Sequence, residues 1–199
     1  MTTAHRSLSD MLLLSTAFAG VLFVLTFIIL GEFVPGYDLL RDPISALLFT
    51  RSGLAQRINF LVFGLLLCVF AIGLRRELMP SKTVAILIPS FQFLCGVGVI
   101  GAGAFIYGIP HLVCDLIAFN SSLVVLFAFA WWFRRVMRWS GWSIYSACTA
   151  ALMMVLLAAF GFFTRAGGPA GGAEKLATAT RTLWTALLTA KLLRGARLG

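Results

Sequence analysis

The sequence predicts an all-α polytopic membrane bundle of six transmembrane helices, with a short interfacial helix in the first outer loop. Three observations carry this prediction. Of the 199 residues, 60% are hydrophobic and only 12% are charged, whereas soluble domains carry about 25% charged residues. The mean hydropathy is +0.98. Finally, six apolar runs approach the roughly 20 residues that a spanning helix needs. We expect residues 1–199 to form one integral membrane domain.

The apolar runs are expected to be helices because they are long and continuous. A membrane barrel would instead need alternating segments of about ten residues. The first run is too long for a signal peptide, and no small-x-small cleavage site follows it. The predicted spans are residues 11–31, 58–74, 84–106, 112–133, 143–163 and 173–193.

Basic residues predict the orientation of the bundle. Six spans put both termini on one side, where ten basic residues face two acidic ones, while six face five on the other side. The positive-inside rule then predicts cytoplasmic termini in the cell inner (plasma) membrane. The net charge of +9 therefore needs no nucleic-acid partner. The ten basic residues are Arg6, Arg75, Arg76, Lys82, Arg134, Arg135, Arg138, Lys191, Arg194 and Arg197.

The first outer connection, residues 32–56, is long and polar. Asp42 and Pro43 suit the N-cap and the first position of a short helix reaching Thr50. If that helix covers the mouth of the bundle, its ionisable groups would gather over an outer cavity; the alternative is that they are only solvated. The candidate ligand-binding residues of this loop and of the start of the second span are Asp38, Arg41, Ser45, Arg57 and Asn59.

The fourth span carries His111, Asp115 and Ser122 on one helical face. A carboxylate one turn from an imidazole can orient it for proton transfer, and the same spacing suits half of a metal site. Alternatively, Asp115 pairs with an arginine while His111 lies at the wet interface. Because His111 is the only outer imidazole, no metal site and no cofactor is predicted. The candidate general acids or bases are Asp42, His111 and Asp115.

A polar stripe follows one face of the sixth span. A charged residue at membrane depth is costly unless it faces the bundle and finds a partner, and Asp115 is the expected partner of Arg181. The pair would be structural, or Arg181 would clamp an anion or lipid headgroup with its bidentate fork. Glu174 and Arg181 are accordingly candidate ligand-binding residues. The stripe comprises Glu174, Thr178, Arg181, Thr185 and Thr189.

The third span is rich in glycine, and Gly98 with Ala102 predicts close helix packing. This helix is the candidate surface for homo- or hetero-oligomers. Pro89 predicts a kink, with Ser90 and Gln92 available to satisfy the freed backbone groups.

Several segments together resemble a prokaryotic six-helix membrane family, domain of unknown function nine-nine-eight. These segments are residues 36–47, which include Asp-Pro-Ile-Ser, residues 59–65, His111 and residues 173–176. The resemblance covers nearly the whole chain and implies the six-helix topology without indicating a reaction. The family itself is more distantly similar to the Frag/DRAM/Sfk group of eukaryotic membrane proteins, some of which are linked to lipid handling. The residues it points to are Asp42, Ser45, His111 and Glu174.

These features predict a protein that binds a membrane lipid or isoprenoid-like amphiphile in a polar pocket open to the outer leaflet. Arg181 and Arg57 would hold its polar head, and phenylalanines its tail. Acid–base chemistry on this molecule is left open. The alternatives are a small transporter or lipid translocator, and a non-catalytic assembly subunit. A translocator is disfavoured because helices one, two, three and five lack ionisable residues near mid-membrane.

Overall fold

The computed structural model describes residues 3–78, 82–135 and 140–194, without the side chains of residues 3–7, 9 and 82. Over these residues the chain is helical and contains no strand. One 3-10 helix, η1, follows the first long helix. The elements are α1 (Thr3–Phe33), η1 (Ile44–Phe49), α2 (Gly53–Glu77), α3 (Lys82–Ala104), α4 (Gly108–Arg134), α5 (Ser140–Ala166) and α6 (Ala170–Leu193).

Each predicted apolar run overlaps one of the long helices, so the all-helical membrane fold is confirmed. Most of the helices extend a few residues beyond the apolar run, whereas α3 ends at Ala104, two residues before the predicted end. Within the described residues, five helices, α1 to α5, contain a segment long and apolar enough to cross a membrane. The protein is therefore a multi-pass membrane protein, and α6 is set apart by its polar stripe.

The six long helices form a closed ring. Each packs against the next in the chain, and α1 packs against α6. Short connections make neighbouring helices antiparallel, so one end of the ring carries both termini and the other carries η1. We call these the terminal side and the loop side. The element η1 contacts α1, α2 and α6, which puts it over the loop-side mouth.

Two apolar clusters fill the ring at different levels. The terminal-side cluster is the larger, with fully buried Phe70, Phe129, Phe133 and Trp184 at its centre. The loop-side cluster lies beneath η1 and comprises Phe23, Phe27, Ile44, Leu47, Leu48, Phe60 and Ala102. Polar residues are buried between these two layers.

The glycines of α3 are used for packing inside the ring, as predicted for Gly98. A side chain added at Gly98 would come within 2.7 Å of the Ala118 backbone nitrogen in α4. One added at Gly96 would lie 2.7 Å from the Gly64 carbonyl oxygen in α2. These close approaches hold α3 against both neighbours.

The short helix of the first loop differs from its prediction. It begins at Ile44 as a 3-10 helix, and Pro43 before it is extended, with ψ 158°. Asp42 caps nothing there, because its carboxylate accepts the backbone N–H of Asp38 at 2.8 Å. Four of the residues used to orient the chain, Arg6, Lys82, Arg138 and Arg197, lie outside the described side chains.

Candidate functional site

A cavity occupies the middle of the ring, below η1. The walls are apolar on most sides and polar along α6. The larger apolar lining residues are Phe23, Phe60, Phe63, Leu67, Val99 and Phe119. The principal polar ones are Asp115, Glu174, Thr178, Arg181, Thr182 and Thr185.

Arg181 lies midway along α6 and is only 8% exposed. Its guanidinium donates to Gln92 Oε1 on α3 at 2.6 Å and to the hydroxyl of Thr185. It also lies over the Trp184 ring, 4.8 Å from the ring centre. Its Nε has no hydrogen-bond partner. All of its side-chain partners are therefore neutral.

The expected pairing of Asp115 with Arg181 is wrong. Asp115 instead lies beside His111 on its own helix, with Oδ2 3.1 Å from Nε2. The other imidazole nitrogen, Nδ1, faces the carbonyl oxygens of Ala102 at 3.0 Å and Phe105 at 2.7 Å, so it carries a proton. Side chains one turn apart on the same helix are adjacent, which explains why Asp115 pairs with His111 and not with Arg181 on α6.

This geometry separates the two candidate acid–base residues of α4. His111 has both ring nitrogens turned toward protein oxygens, whereas Asp115 lines the cavity. Asp115 is thus the predicted catalytic residue that touches the cavity directly. Ser122, on the same face, lines the cavity too and contacts the thiol of Cys95 at 3.1 Å.

Glu174 is buried at the first turn of α6 and ties η1 to it. Its Oε2 accepts the backbone N–H of Ile44 at 2.7 Å. The adjacent Lys175 donates to the carbonyl oxygen of Asp42 at 2.5 Å. The backbone N–H groups of Gly171 and Gly172 donate to the Arg41 and Leu40 carbonyls at 3.1 and 2.7 Å. We call residues 40–44, held by these four contacts, the strap.

The loop residues predicted to line the pocket shape the strap instead. Asp38 is exposed, and its Oδ1 accepts the backbone N–H groups of Leu40 and Arg41, which lowers the pKa of its carboxyl group. Arg41 is exposed at 3.9 Å from Asp38. Asp42 bonds the Asp38 backbone, and Ser45 is half-buried on η1. None of these four side chains is among the residues lining the described cavity.

Tyr37 is hydrogen-bonded to the strap. Its hydroxyl donates to the carbonyl oxygens of Pro43 at 3.0 Å and Asp42 at 3.3 Å. Burial raises the pKa of Tyr37 above its ordinary value, and the negative charges of Glu174 and Asp42 raise it further. The phenol therefore stays a neutral donor at every physiological pH.

Arg57 and Asn59 join helices rather than face the cavity. Arg57 donates to the carbonyl oxygen of Ala104 at 3.3 Å, at the end of α3. Asn59 donates to the Phe23 carbonyl on α1 at 3.2 Å. Arg181 lines the described cavity and Arg57 does not, so the structure does not bring these two arginines together there.

Sequence reasoning missed the role of Gln92. It was expected to satisfy backbone groups freed by Pro89, yet its amide oxygen accepts from Arg181 and its Nε2 is buried without a partner. The sequence feature that could have revealed this role is the polarity of Gln92 in an otherwise apolar helix.

Among the described residues, no three His, Cys, Asp or Glu side chains are grouped closely enough to hold a metal ion.

Comparison with known proteins identifies a family. The profile described as Protein of unknown function (DUF998) matches residues 17–191. No curated protein and no solved structure matches the chain. The matched region runs from within α1 almost to the end of α6, so it contains α2 to α5, the strap, and most of the residues that line the cavity. The protein therefore belongs to the DUF998 family of membrane proteins.

Proposed function

We propose that the protein binds a lipid or isoprenoid-like amphiphile in the central cavity, entering from the loop side. The amphipathic lining of that cavity supports the proposal. Ligand pockets are typically lined mostly by apolar side chains, with a few placed polar groups, and the lining of this cavity fits that description. Phe23, Phe60 and Phe63 offer an apolar wall for a tail, and α6 offers polar groups for a head.

The proposed orientation has six spans and cytoplasmic termini in the inner (plasma) membrane. Its support is that α6, with 24 residues, extends about 36 Å and lies between two spanning helices, α1 and α5. Polar residues of α6 face the ring interior, which explains its low hydropathy. Basic residues at the terminal side, Arg75, Arg76, Arg134, Arg135 and Arg194, favour cytoplasmic termini.

The two alternatives have less support. Translocation needs a polar path across the ring, yet the apolar cluster around Phe129 and Phe133 fills the terminal half of the described structure. Assembly through the glycines of α3 would compete with the contacts that Gly96 and Gly98 already make. If chemistry takes place on the bound molecule, Asp115 is the candidate general acid or base.

A cavity-filling substitution tests this proposal. Ala118 lines the cavity, so Ala118→Phe places a ring in the ligand volume; Ala151→Phe adds the same ring on the exposed face of α5. Both variants and the wild type are purified in mild detergent, checked for helix content and monodispersity, and their bound amphiphiles are measured by mass spectrometry. We expect one amphiphile class to be retained by the wild type and by Ala151→Phe and lost from Ala118→Phe. Equal retention in all three would overturn the proposal.

A further inference from the structure

We propose that the head bound in this cavity is a monoanionic oxygen acid, a carboxylate or a phosphodiester, held at Arg181. The inference rests on the function proposed above and adds the charge and chemical class of the ligand head.

Arg181 is a buried cation without a counter-ion. Within the described part of the chain no ion pair includes it, and its side-chain contacts are an amide oxygen, a hydroxyl and an indole ring. Buried charges in proteins are ordinarily paired, because desolvation is costly without compensation. An arginine midway along a membrane helix is the most expensive case. A negative charge missing from the protein is thus expected from a ligand.

Neither acidic residue of the cavity supplies that charge. Asp115 is paired with His111, and Glu174 accepts the Ile44 backbone N–H under the strap. Glu174 precedes Arg181 by two turns, about 10 Å along the axis of α6. The cavity therefore has its carboxylates near the mouth and its cation at the floor.

The unpartnered groups around the Arg181 guanidinium are donors. Arg181 lines the cavity, and its Nε is buried without a hydrogen bond. Nε2 of Gln92, whose Oε1 accepts from the guanidinium, is also buried without one, although Gln92 is not among the lining residues of the described cavity. Hydrogen-bond donors are best matched by a group that only accepts hydrogen bonds. Ionised carboxylate and phosphate groups are of this kind, whereas hydroxyls and amines also donate.

The number of cations sets the ligand charge at one. Arg181 is the only basic residue among those that line the described cavity. Two basic side chains at the loop side bond backbone instead: Arg57 the Ala104 carbonyl and Lys175 the Asp42 carbonyl. One guanidinium is neutralised by a carboxylate or a phosphodiester. A phosphate monoester carries a charge of about −1.5 to −2 at neutral pH. Its second charge would be unmatched, because the other charged side chains that line the described cavity are the acidic Asp115 and Glu174.

Thermal unfolding with a matched probe set tests the inference. The purified protein, stripped of bound lipid in an uncharged detergent, is titrated with oleate, phosphatidylglycerol, oleyl alcohol, oleyl phosphate and acetate. A ligand that binds only the folded state raises the unfolding temperature with its concentration. We expect oleate or phosphatidylglycerol to bind at least about tenfold more tightly than oleyl alcohol and oleyl phosphate, as loss of a charge-assisted hydrogen bond implies.

Whichever of oleate and phosphatidylglycerol binds more tightly identifies the source of the monoanion. In Arg181→Gln the preference over oleyl alcohol should disappear, whereas Arg181→Lys should keep part of it. Tighter binding of oleyl alcohol or oleyl phosphate would overturn the charge assignment while leaving an amphiphile site. Acetate acting as strongly as oleate, or no probe acting at all, would instead overturn the proposed function itself.

Discussion

The side chain of Arg181 is a buried positive charge that has no counter-ion among the described residues. Its partners Gln92 and Thr185 orient the guanidinium without neutralising it. Burying an unpaired charge lowers stability, and natural proteins retain such destabilising groups mainly at functional sites, where stability and activity are in conflict. A structural arginine and a binding arginine therefore differ in the sign of their effect on stability.

Arg181→Met is expected to stabilise the lipid-free protein by about 1–2 kcal/mol, because an uncompensated buried charge is replaced by an apolar chain of similar length. Part of the gain is offset, since Gln92 Oε1 loses its donor. The measurement is the free energy of unfolding in uncharged micelles. Arg57→Met serves as the control: it removes one hydrogen bond to Ala104 and should cost about 1 kcal/mol. Destabilisation by Arg181→Met would make this residue structural.

At the scale of elements, the strap and α6 form one unit although about 130 residues separate them in sequence. Its closest approach is at Gly171, where any side chain would overlap the carbonyl oxygen of Asp42. The backbone of the first loop can thus lie directly on the first turn of α6 because glycine is there.

Gly171→Ala is expected to lift the strap and to destabilise the protein by about 1–3 kcal/mol through overpacking. Hydrogen exchange of the amides at 40–44 should accelerate. Gly161→Ala is the matched control, because that glycine of α5 has open space around it and alanine favours a helix by about 1 kcal/mol. Unchanged exchange of the strap amides in Gly171→Ala would contradict this account.

The faces of α6 could be predicted from the sequence, whereas its contacts with other helices could not. The inward polar stripe of α6 was predictable, because helical spacing fixes which residues share a face, and Glu174, Arg181, Thr185 and Thr189 are all buried. The partner of Arg181 was not, because spacing within α6 says nothing about which residue of α3 faces it. Asp42 failed as an N-cap because its carboxylate bonds the Asp38 backbone, a loop contact with no periodic signal.

At the scale of the whole molecule, the ring is divided into two unlike halves. The loop-side half contains the cavity, the strap and the carboxylates, and the terminal-side half is packed with apolar side chains. The proposed ligand would therefore enter from the loop side, and the orientation of the protein would decide which leaflet supplies it.

Cysteine labelling can establish that orientation. Arg41 and Arg194 are exposed at opposite ends of the ring. In a chain whose four native cysteines are replaced by alanine, Arg41→Cys should react with a membrane-impermeant maleimide on intact cells. Arg194→Cys should react only after the cells are permeabilised. The reverse pattern would place the termini outside and the cavity in the inner leaflet.

If α6 spans the membrane as proposed, Arg181 lies at about mid-depth, and the membrane potential would enter the binding equilibrium of the proposed anion. A monoanion that descends from the loop side to Arg181 crosses about half of the transmembrane voltage, which is worth about 1.2 kcal/mol at 100 mV. With cytoplasmic termini and a negative interior, that work opposes binding and weakens it several-fold in an energised cell. Reconstituted vesicles with an imposed potassium diffusion potential should show weaker oleate binding as the terminal side becomes more negative. The proposed ligand would then bind several-fold more weakly when the membrane is charged than when the potential collapses.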